Sequence, residues 1–372
     1  MRVKLEDVCE RGTSSLMQKD IVDKNGKYPV YGASGRIGSM ETYQQEHQTV
    51  AVVKDGAVIG RTMLLPEKSS IIGTMQYLIP KNCIEPEYLY YAVKYMHLEK
   101  YFSGATIPHI YFRDYKTEEF NLHNKTEQQE IISTLKRVEA VISNRREQLA
   151  MLDELVKARF VEMFGDPISN PFGFKVKTLQ KMIDDGTIMY HLDGNHGSDY
   201  PRNEEFVECG VPYISANCIV HNDVNLKLAK HLTEERASKL RKGIAQNGDV
   251  LFAHNATVGP VAILYTDDEK VILGTSLTAY RCDKERMVPD YLKAYMQSEG
   301  FVCQYTKDMK QTTRNQVPIT AQRKFLFVIP PLSLQNQFAA FAAEVDKSKA
   351  DVQKALDQTQ LLFDSLMQQY FG

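Results

Sequence analysis

Two segments of the chain, each 40 residues long, align with each other without a gap and both end in Phe-Gly. The first begins at Thr126 and reads TEQQEIISTLKRVEAVISNRREQLAMLDELVKARFVEMFG. The second begins at Ser333 and reads SLQNQFAAFAAEVDKSKADVQKALDQTQLLFDSLMQQYFG. Equivalent residues differ by one constant offset, as in Gln128 and Gln335 (335 − 128 = 207). A match of this length without insertions predicts that both segments adopt the same rigid structure.

Apolar residues recur in both segments at steps of three and four residues, which is the pattern of a coiled-coil seam. In the first segment the seam positions are Ile131, Leu135, Val138, Ile142, Leu149, Leu152 and Val156, with Arg145 in the one gap. In the second they are Phe338, Ala342, Val345, Val352, Leu356, Phe363 and Leu366, interrupted by Lys349 and Thr359. Thr126, with Gln129 three residues later, predicts a capping box at the start of the first helix.

Composition sets the broad class of the protein. At 372 residues the chain is longer than one core usually allows, so two or more domains are expected. The six cysteines form no C-x-x-C pair and the histidines do not cluster at metal-ligand spacing, so no metal site is predicted. The N-terminus lacks a signal core and no apolar run approaches the roughly 20 residues of a membrane span, so we expect a soluble cytoplasmic protein. A net charge of −2 is compatible with a local basic face.

Repetition extends beyond the helices. The segment DGAVIGRTMLLPEKSSIIGTMQYLIP from Asp55 resembles HNATVGPVAILYTDDEKVILGTSLTAYRC from His254, with small changes of offset that indicate loop insertions. Upstream, YPVYGAS at Tyr28 resembles VPYISAN at Val211 at a smaller offset, so the second copy carries extra sequence near its middle. The chain therefore reads as a globular unit, a long helix, a second globular unit and a second long helix. The linker GDPISNPFGF from Gly165 ends the first helix.

Each globular unit combines β-rich runs with a shorter helix. Asp55-Gly56 between two apolar runs predicts a tight hairpin turn, and Asn255 holds the same place in the second unit. A helix is predicted after each Pro-x-Tyr-Leu sequence, at Pro86 and at Pro289. Two helices of about 60 Å with one shared register, separated by a globular unit, pack most simply antiparallel. The predicted fold class is α+β, with two globular domains joined by two long antiparallel coiled-coil helices as a pseudo-twofold internal repeat.

Neither unit contains a recognisable catalytic constellation. The sequence has no G-x-S-x-G, no G-x-x-x-x-G-K-[ST], no H-E-x-x-H and no G-x-G-x-x-G between a strand and a helix. His109 and His254 are conceivable bases, but neither is matched by a histidine in the other copy. A duplicated enzyme would need its catalytic residues in each half, so no catalytic residue is predicted.

The two units share a polar loop in the same place with different side chains. SGATIPHIYFRD from Ser103 and KDMKQTTRNQVPIT from Lys307 each lie between the Pro-x-Tyr-Leu helix and the next long helix. In the first loop Ile-Pro-His stands where the second has Thr-Arg-Asn. Residues of these types contact phosphates and base edges. The candidate contact residues are Tyr31, Arg36, His109, Arg113, Asn217, Lys310, Thr313, Arg314 and Asn315. A solvated loop, or a core position for the tyrosine, is the alternative interpretation.

These features together resemble the specificity subunit of type I restriction-modification enzymes. The resemblance covers essentially the whole chain and rests on YPVYGASGRIG, on DGAVIGR and NATVGPVAI, on TTRNQVPIT before FLFVIPPLSLQNQFA, and on LVKARFVEMFGDPISNPFGF between the halves. It implies a target recognition domain at 1–123, a central spacer helix at 124–165, a second target recognition domain at 166–330 and a C-terminal spacer helix at 331–372. Each recognition domain would read one half of a bipartite sequence in double-stranded DNA.

The resemblance also implies partners. Two methyltransferase subunits would bring S-adenosylmethionine and methylate adenine, and restriction subunits would translocate and cut DNA. This chain would bind no cofactor and would catalyse no reaction. Two alternatives remain open: a coiled-coil scaffold with duplicated heads, which would bind only proteins, and a duplicated enzyme, which would turn over a substrate by itself.

Overall fold

The computed structural model describes residues 1–21, 26–103, 108–309 and 315–372. The chain divides into two compact units, of which unit 1 comprises Met1–Glu147 and Val352–Gly372, and unit 2 comprises Gln148–Asp351. Helices and sheets are mixed in both units, which confirms the predicted α+β class at this level.

Unit 1 is built from short strands, short helices and parts of two long helices. Its strands are β1 (Arg2–Lys4), β2 (Cys9–Thr13), β3 (Tyr28–Gly32), β4 (Gly35–Met40), β5 (Thr49–Val53), β6 (Thr62–Leu65), β7 (Ser70–Ile71), β8 (Met75–Pro80) and β9 (Glu119–Asn121). Its helices are α1 (Leu5–Val8), α2 (Pro86–Tyr95), α3 (Phe112–Tyr115) and the first part of α4 (Lys125–Phe164). One antiparallel sheet has the strand order β2-β8-β5-β6, a second sheet has the order β4-β3-β7 with β3 and β7 parallel, and β1 pairs with β9.

Unit 2 also combines short strands and short helices with parts of the two long helices. Its strands are β10 (Lys175–Thr178), β11 (Ile188–Asp193), β12 (Phe206–Val207), β13 (Val211–Ile214), β14 (Ile219–Val220), β15 (Asp223–Val224), β16 (Lys230–Leu232), β17 (Ile244–Ala245), β18 (Val250–Asn255), β19 (Thr257–Ile263), β20 (Val271–Leu273), β21 (Leu277–Cys282) and β22 (Leu326–Ile329). Its helices are the last part of α4, α5 (Leu179–Asp184), α6 (Glu234–Ser238), α7 (Pro289–Gln297), α8 (Glu299–Met309), α9 (Ile319–Gln322) and the first part of α10 (Leu332–Phe371), whose last part belongs to unit 1. The sheets have the orders β11-β21-β18-β19 and β12-β16-β13-β20-β17, and two further pairs are β10-β22 and β14-β15.

The four-stranded sheets of the two units have the same connectivity. In unit 1, β2 pairs with β8, β8 with β5, and β5 with β6. In unit 2, β11 pairs with β21, β21 with β18, and β18 with β19. The helices that follow begin at Pro86 and Pro289, as predicted from Pro-x-Tyr-Leu. The extra sequence of unit 2 includes the hairpin β14–β15, which is inserted between β13 and β16. In unit 1 the corresponding strands β3 and β4 are joined directly at Ala33-Ser34.

Helices α4 and α10 are each 40 residues long. All the apolar seam positions predicted for them are buried or half-buried, as are Arg145, Lys349 and Thr359, which interrupt the seam. The predicted capping box at Thr126 is wrong: Asn124 caps α4, because its side chain accepts from the Glu127 N–H at 3.0 Å and its N–H donates to the Glu127 carboxylate at 3.1 Å. Within the described residues, no helix is long and apolar enough to cross a membrane.

Gly165 ends α4 as the sequence predicts. Its φ of +72° lies in the left-handed region, and a Cβ atom here would lie 2.3 Å from Cγ of Pro171, so only glycine fits. The side chain of Asn170 then holds the linker, because it donates to the Phe174 carbonyl at 2.8 Å and accepts from the Phe174 N–H at 3.0 Å. The linker is thus an ordered turn rather than a loose connection.

A buried glutamine near the start of each long helix joins that helix to the Pro-x-Tyr-Leu helix of its unit. In unit 1, Gln128 accepts from the Glu85 N–H at 2.8 Å and donates to the His123 carbonyl at 2.9 Å. In unit 2, Gln335 accepts from the Val288 N–H at 2.9 Å and donates to the Pro330 carbonyl at 2.9 Å. Gln128 also donates to the Cys83 carbonyl at 3.0 Å. Both glutamines are fully buried, so these contacts replace water at three backbone groups in unit 1 and at two in unit 2.

Candidate nucleic-acid interface

In unit 1 the polar loop is bonded to the connection between β5 and β6. The Gly56 N–H donates to the Pro108 carbonyl at 3.0 Å and the Ile110 N–H donates to the Lys54 carbonyl at 2.9 Å. The predicted tight turn at Asp55-Gly56 is wrong, because the two strands are joined by residues 54–61. This longer connection closes at Gly60, where a Cβ atom would lie 2.5 Å from the Glu99 backbone nitrogen.

Four side-chain contacts connect the residues of the unit 1 loop and the neighbouring connection. The Asp55 carboxylate accepts from His109 Nδ1 at 2.7 Å and pairs with Lys54 Nζ at 3.0 Å. His109 stacks on Tyr111 with 6.3 Å between ring centroids, and the Arg113 guanidinium lies 4.7 Å from the Tyr111 ring. The half-buried His109 and the exposed Tyr111 and Arg113, the last of which lies in α3, therefore form a row of imidazole, phenol and guanidinium groups. Aromatic faces and guanidinium groups of this kind bind nucleic acid.

The other two predicted residues of unit 1 lie on the β3–β4 hairpin. Tyr31 is half-buried and packs against the core of the four-stranded sheet, whereas Arg36, opposite it in the hairpin, is exposed. The structure therefore favours a partly structural role for Tyr31. Arg61 links this hairpin to the β5–β6 connection by donating to the Ala33 carbonyl at 3.0 Å.

Unit 2 contains the same backbone arrangement. The Ala256 N–H donates to the Asn315 carbonyl at 3.1 Å, and the Val317 N–H donates to the His254 carbonyl at 2.8 Å. Asn255 and Gln316 form an isolated antiparallel bridge, as Asp55 and His109 do in unit 1. The turn in unit 2 is tight, with Ala256 at a φ of +65° between β18 and β19.

These bridges correct the sequence alignment of the two loops by one residue. The alignment placed Asn315 opposite His109, whereas the backbone pairing makes Gln316 the counterpart of His109. The offset is then 207 (316 − 109), the same as between the long helices. Gln316 was therefore missed as a candidate, although the constant offset of the long helices could have identified it. Asp55 was missed as well.

The remaining predicted residues belong to unit 2. Asn217 is exposed on a turn whose Ala216 N–H donates to Ser276 Oγ at 2.8 Å, and Ser276 also accepts at its carbonyl from the His254 N–H at 2.9 Å. The structure thus brings the Asn217 turn next to the end of β18. Asn315 is exposed at the start of its described segment. The predicted residues Lys310, Thr313 and Arg314 lie outside the described residues.

A buried polar cluster supports the unit 2 loop. The side chain of Gln322 donates to the Val317 carbonyl at 3.1 Å and to Thr278 Oγ1 at 3.1 Å, and the Thr278 hydroxyl donates to His254 Nδ1 at 3.2 Å. His254 Nε2 lies 3.1 Å from the Thr275 carbonyl and donates to it. His254 therefore uses its neutral form, with Nδ1 as acceptor, and the cluster fixes the backbone on which Gln316 is carried.

Burial lowers the pKa of both His191 and His254 to about 4. An unfolded chain has histidine pKa values near 6.5, so between pH 6.5 and about 4 it binds more protons than the folded chain. The contribution of the two neutral histidines to the free energy of unfolding is fully present above pH 6.5. It decreases as the pH falls through this window, by on the order of 1 kcal/mol per pH unit for each histidine.

We expect the thermal unfolding midpoint of the chain to fall between pH 7 and pH 5, and to fall less in a variant carrying both His191→Gln and His254→Gln. Thermal unfolding followed by circular dichroism at the two pH values measures the difference. An equal loss in the wild type and the variant would show that these histidines are not the source of the acid sensitivity.

The chain is similar to known proteins in both sequence and fold. Residues 1–152 match the family model of the type I restriction modification DNA specificity domain. Over 154 residues, or 38% of this chain, the sequence is 27% identical to the type I restriction enzyme MjaIX specificity subunit of Methanocaldococcus jannaschii. The match spans 36% of the length of that curated relative. No metal-binding group of three or more His, Cys, Asp or Glu side chains occurs within the part of the chain that the structure describes.

Two solved structures share the fold over the whole chain. The type I restriction-modification system S subunit from M. genitalium has a TM-score of 0.59 at 16% identity, covering 100% of this chain and 96% of that chain. A structure concerned with complex assembly and conformational transition of the type I R-M system contains a chain with a TM-score of 0.54 at 15% identity, with coverage of 100% and 97%. The chain therefore has the fold of a type I specificity subunit. Its first 152 residues match the model of the DNA specificity domain, which agrees with the resemblance seen in the sequence.

Proposed function

We propose that this chain is the sequence-specific DNA-binding subunit of a type I restriction-modification complex, in which each unit reads one half of a bipartite target. The observation that carries the proposal is the equivalence of the two loops. Each is bonded to the connection after a central strand by the same pair of backbone hydrogen bonds, yet the side chains differ. Two domains that recognise different half-sites are expected to share a backbone arrangement and to differ in the polar side chains that it carries.

The unit 1 surface has the charge that DNA binding requires. Arg36, Lys54, Arg61 and Arg113 lie on the segments that are linked around Asp55. Among the described residues of these segments the acidic ones are Asp55, which pairs with Lys54, and Asp114, which pairs with Arg113. Cationic side chains contact phosphates and position a protein on the duplex, whereas base contacts supply the sequence preference. The net charge of −2 for the whole chain would then be distributed unevenly, with the basic face toward DNA.

The two long helices are proposed to form an antiparallel coiled-coil spacer between the recognition domains. In unit 1, Phe371 near the end of α10 packs on Tyr88 with 5.0 Å between ring centroids. In unit 2, Phe164 at the end of α4 packs on Tyr291, the counterpart of Tyr88, at 4.8 Å. Each unit thus holds the start of one long helix and the end of the other, which supports an antiparallel pair and an internal duplication.

The proposed partners are two methyltransferase subunits, which would bind S-adenosylmethionine, and restriction subunits. This chain would supply recognition and no catalysis. Exposed apolar residues on the helices support docking along them, among them Val141 and Leu361 in unit 1 and Met151 and Leu155 in unit 2.

We expect the purified chain to transfer no methyl group to duplex DNA by itself, and the partner methyltransferase to methylate a defined bipartite sequence only when this chain is present. Methyl transfer from labelled S-adenosylmethionine, measured with chain alone, partner alone and both together, separates the possibilities. Transfer by the chain alone at the rate of the complex would indicate a duplicated enzyme. Methylation of the same sequence by the partner alone would indicate that this chain is a scaffold and does not recognise the sequence.

A further inference from the structure

In each unit an isolated β-bridge joins one residue of the recognition loop to one residue at the end of a central strand. The two units differ in the hydrogen bonding of the two bridged side chains. In unit 1, Asp55 and His109 are bonded to each other at 2.7 Å. In unit 2, Asn255 and Gln316 occupy the same bridged positions, and within the described residues neither side chain makes a hydrogen bond. Both residues are half-buried, so each is partly accessible to a ligand.

The backbone holds these two amides in a defined position. Asn255 is the last residue of β18, and the left-handed Ala256 turns the chain into β19 immediately after it. Gln316 lies between the Ala256-to-Asn315 and Val317-to-His254 hydrogen bonds, which join its segment to the strand end. Side chains on a rigid support of this kind are suited to reading a sequence, since little conformational entropy is lost on binding.

The chemistry of the amides identifies the base that they would read. A carboxamide presents one donor and one acceptor side by side, and this pattern matches N7 and the N6 amino group of adenine in the major groove. A carboxylate accepts only, and matches the N4 amino group of cytosine instead. The bonded Asp55–His109 pair offers neither pattern freely, because the carboxylate already holds the imidazole.

We propose that Asn255 and Gln316 are specificity-determining residues that read adenine in the half-site of unit 2, a proposal that rests on the proposed DNA-recognition function. In unit 1 the counterpart of this pair is His109, oriented by Asp55, so the two half-sites differ at the base pair read from this position. An exchange of amide for carboxylate at 255 keeps the size of the side chain and removes the donor.

The test is the Asn255→Asp variant in the complex with the partner methyltransferase, with Asn203→Asp as the matched control. Asn203 is an exposed residue of unit 2 whose side chain makes no hydrogen bond within the described residues. We expect Asn255→Asp to lower the methylation rate of the original target roughly 10- to 100-fold, and to change one base pair of one half-site from adenine toward cytosine. The other half-site and the gap should stay the same, and the control should match the wild type.

Sequencing of methylated positions in a library of randomised duplexes gives the readout. An unchanged motif with an equal loss of rate on every duplex would mean that Asn255 contacts phosphate, and an unchanged motif at an unchanged rate would mean that it contacts nothing; either result overturns the proposal. Thermal unfolding of both variants controls for folding, and Gln316→Glu provides a second variant with the same expected change of preference. Failure of the proposed function itself is distinct, because the wild-type complex would then select no bipartite motif.

Discussion

Replacing Gln335 by Leu is expected to destabilise unit 2 by roughly 2–5 kcal/mol. The leucine has nearly the same volume, but it leaves the Val288 N–H without an acceptor and the Pro330 carbonyl without this donor, and both groups are buried. Each unsatisfied buried backbone group costs about 1–3 kcal/mol. For a unit of this size the thermal unfolding midpoint should fall by roughly 5–15 °C. Gln128→Leu is expected to have a similar effect in unit 1, because Gln128 makes two equivalent contacts and also donates to the Cys83 carbonyl.

The matched controls are Gln129→Leu and Gln337→Leu, which change an exposed glutamine close to each buried one. These substitutions should change the unfolding free energy by less than about 0.5 kcal/mol. Calorimetry of the four variants measures the contrast between buried and exposed positions. If the buried and exposed variants unfold at the same temperature, the two glutamines do not join the helices as the structure indicates.

The long helices were predictable because their apolar residues follow one period over many turns. Steps of three and four place the apolar residues of each helix on one face of that helix. Leu135 of α4 and Phe338 of α10 are examples, and both are fully buried. The helix starts were less predictable. Asn124 with Glu127 and Thr126 with Gln129 both fit the capping pattern, and only the backbone geometry shows that the first pair is the cap.

The buried glutamines and the recognition loops could not be predicted from local pattern. A glutamine before an apolar run usually faces water, and the burial of Gln128 depends on a distant N–H group at Glu85 that needs an acceptor. Likewise, Asp55-Gly56 has the composition of a tight turn, but the connection extends over residues 54–61 and packs at Gly60 against the backbone of Glu99. Contacts with residues distant in the sequence are part of both features.

The second large effect is expected from lengthening the helices. Inserting one heptad after Asn144 and one after Asp351, which are equivalent positions (351 − 144 = 207), preserves the seam because seven residues restore the 3.5 period. The proposed spacer would grow by about 10 Å, which corresponds to roughly three base pairs. The loops that carry His109 and Gln316 are unchanged, so the two half-sites should keep their bases while the gap between them widens. Insertion into one helix alone should abolish methylation, because the two seams lose their register.

Mapping methylated adenines across the genome of cells that carry the double-insertion variant and its partner subunits tests the central claim most directly. The account predicts the wild-type half-sites separated by a gap roughly three base pairs longer. An active variant that keeps the original gap would contradict the claim that the helices set the spacing. Altered half-site bases would contradict the claim that each unit reads its half-site independently of the helices.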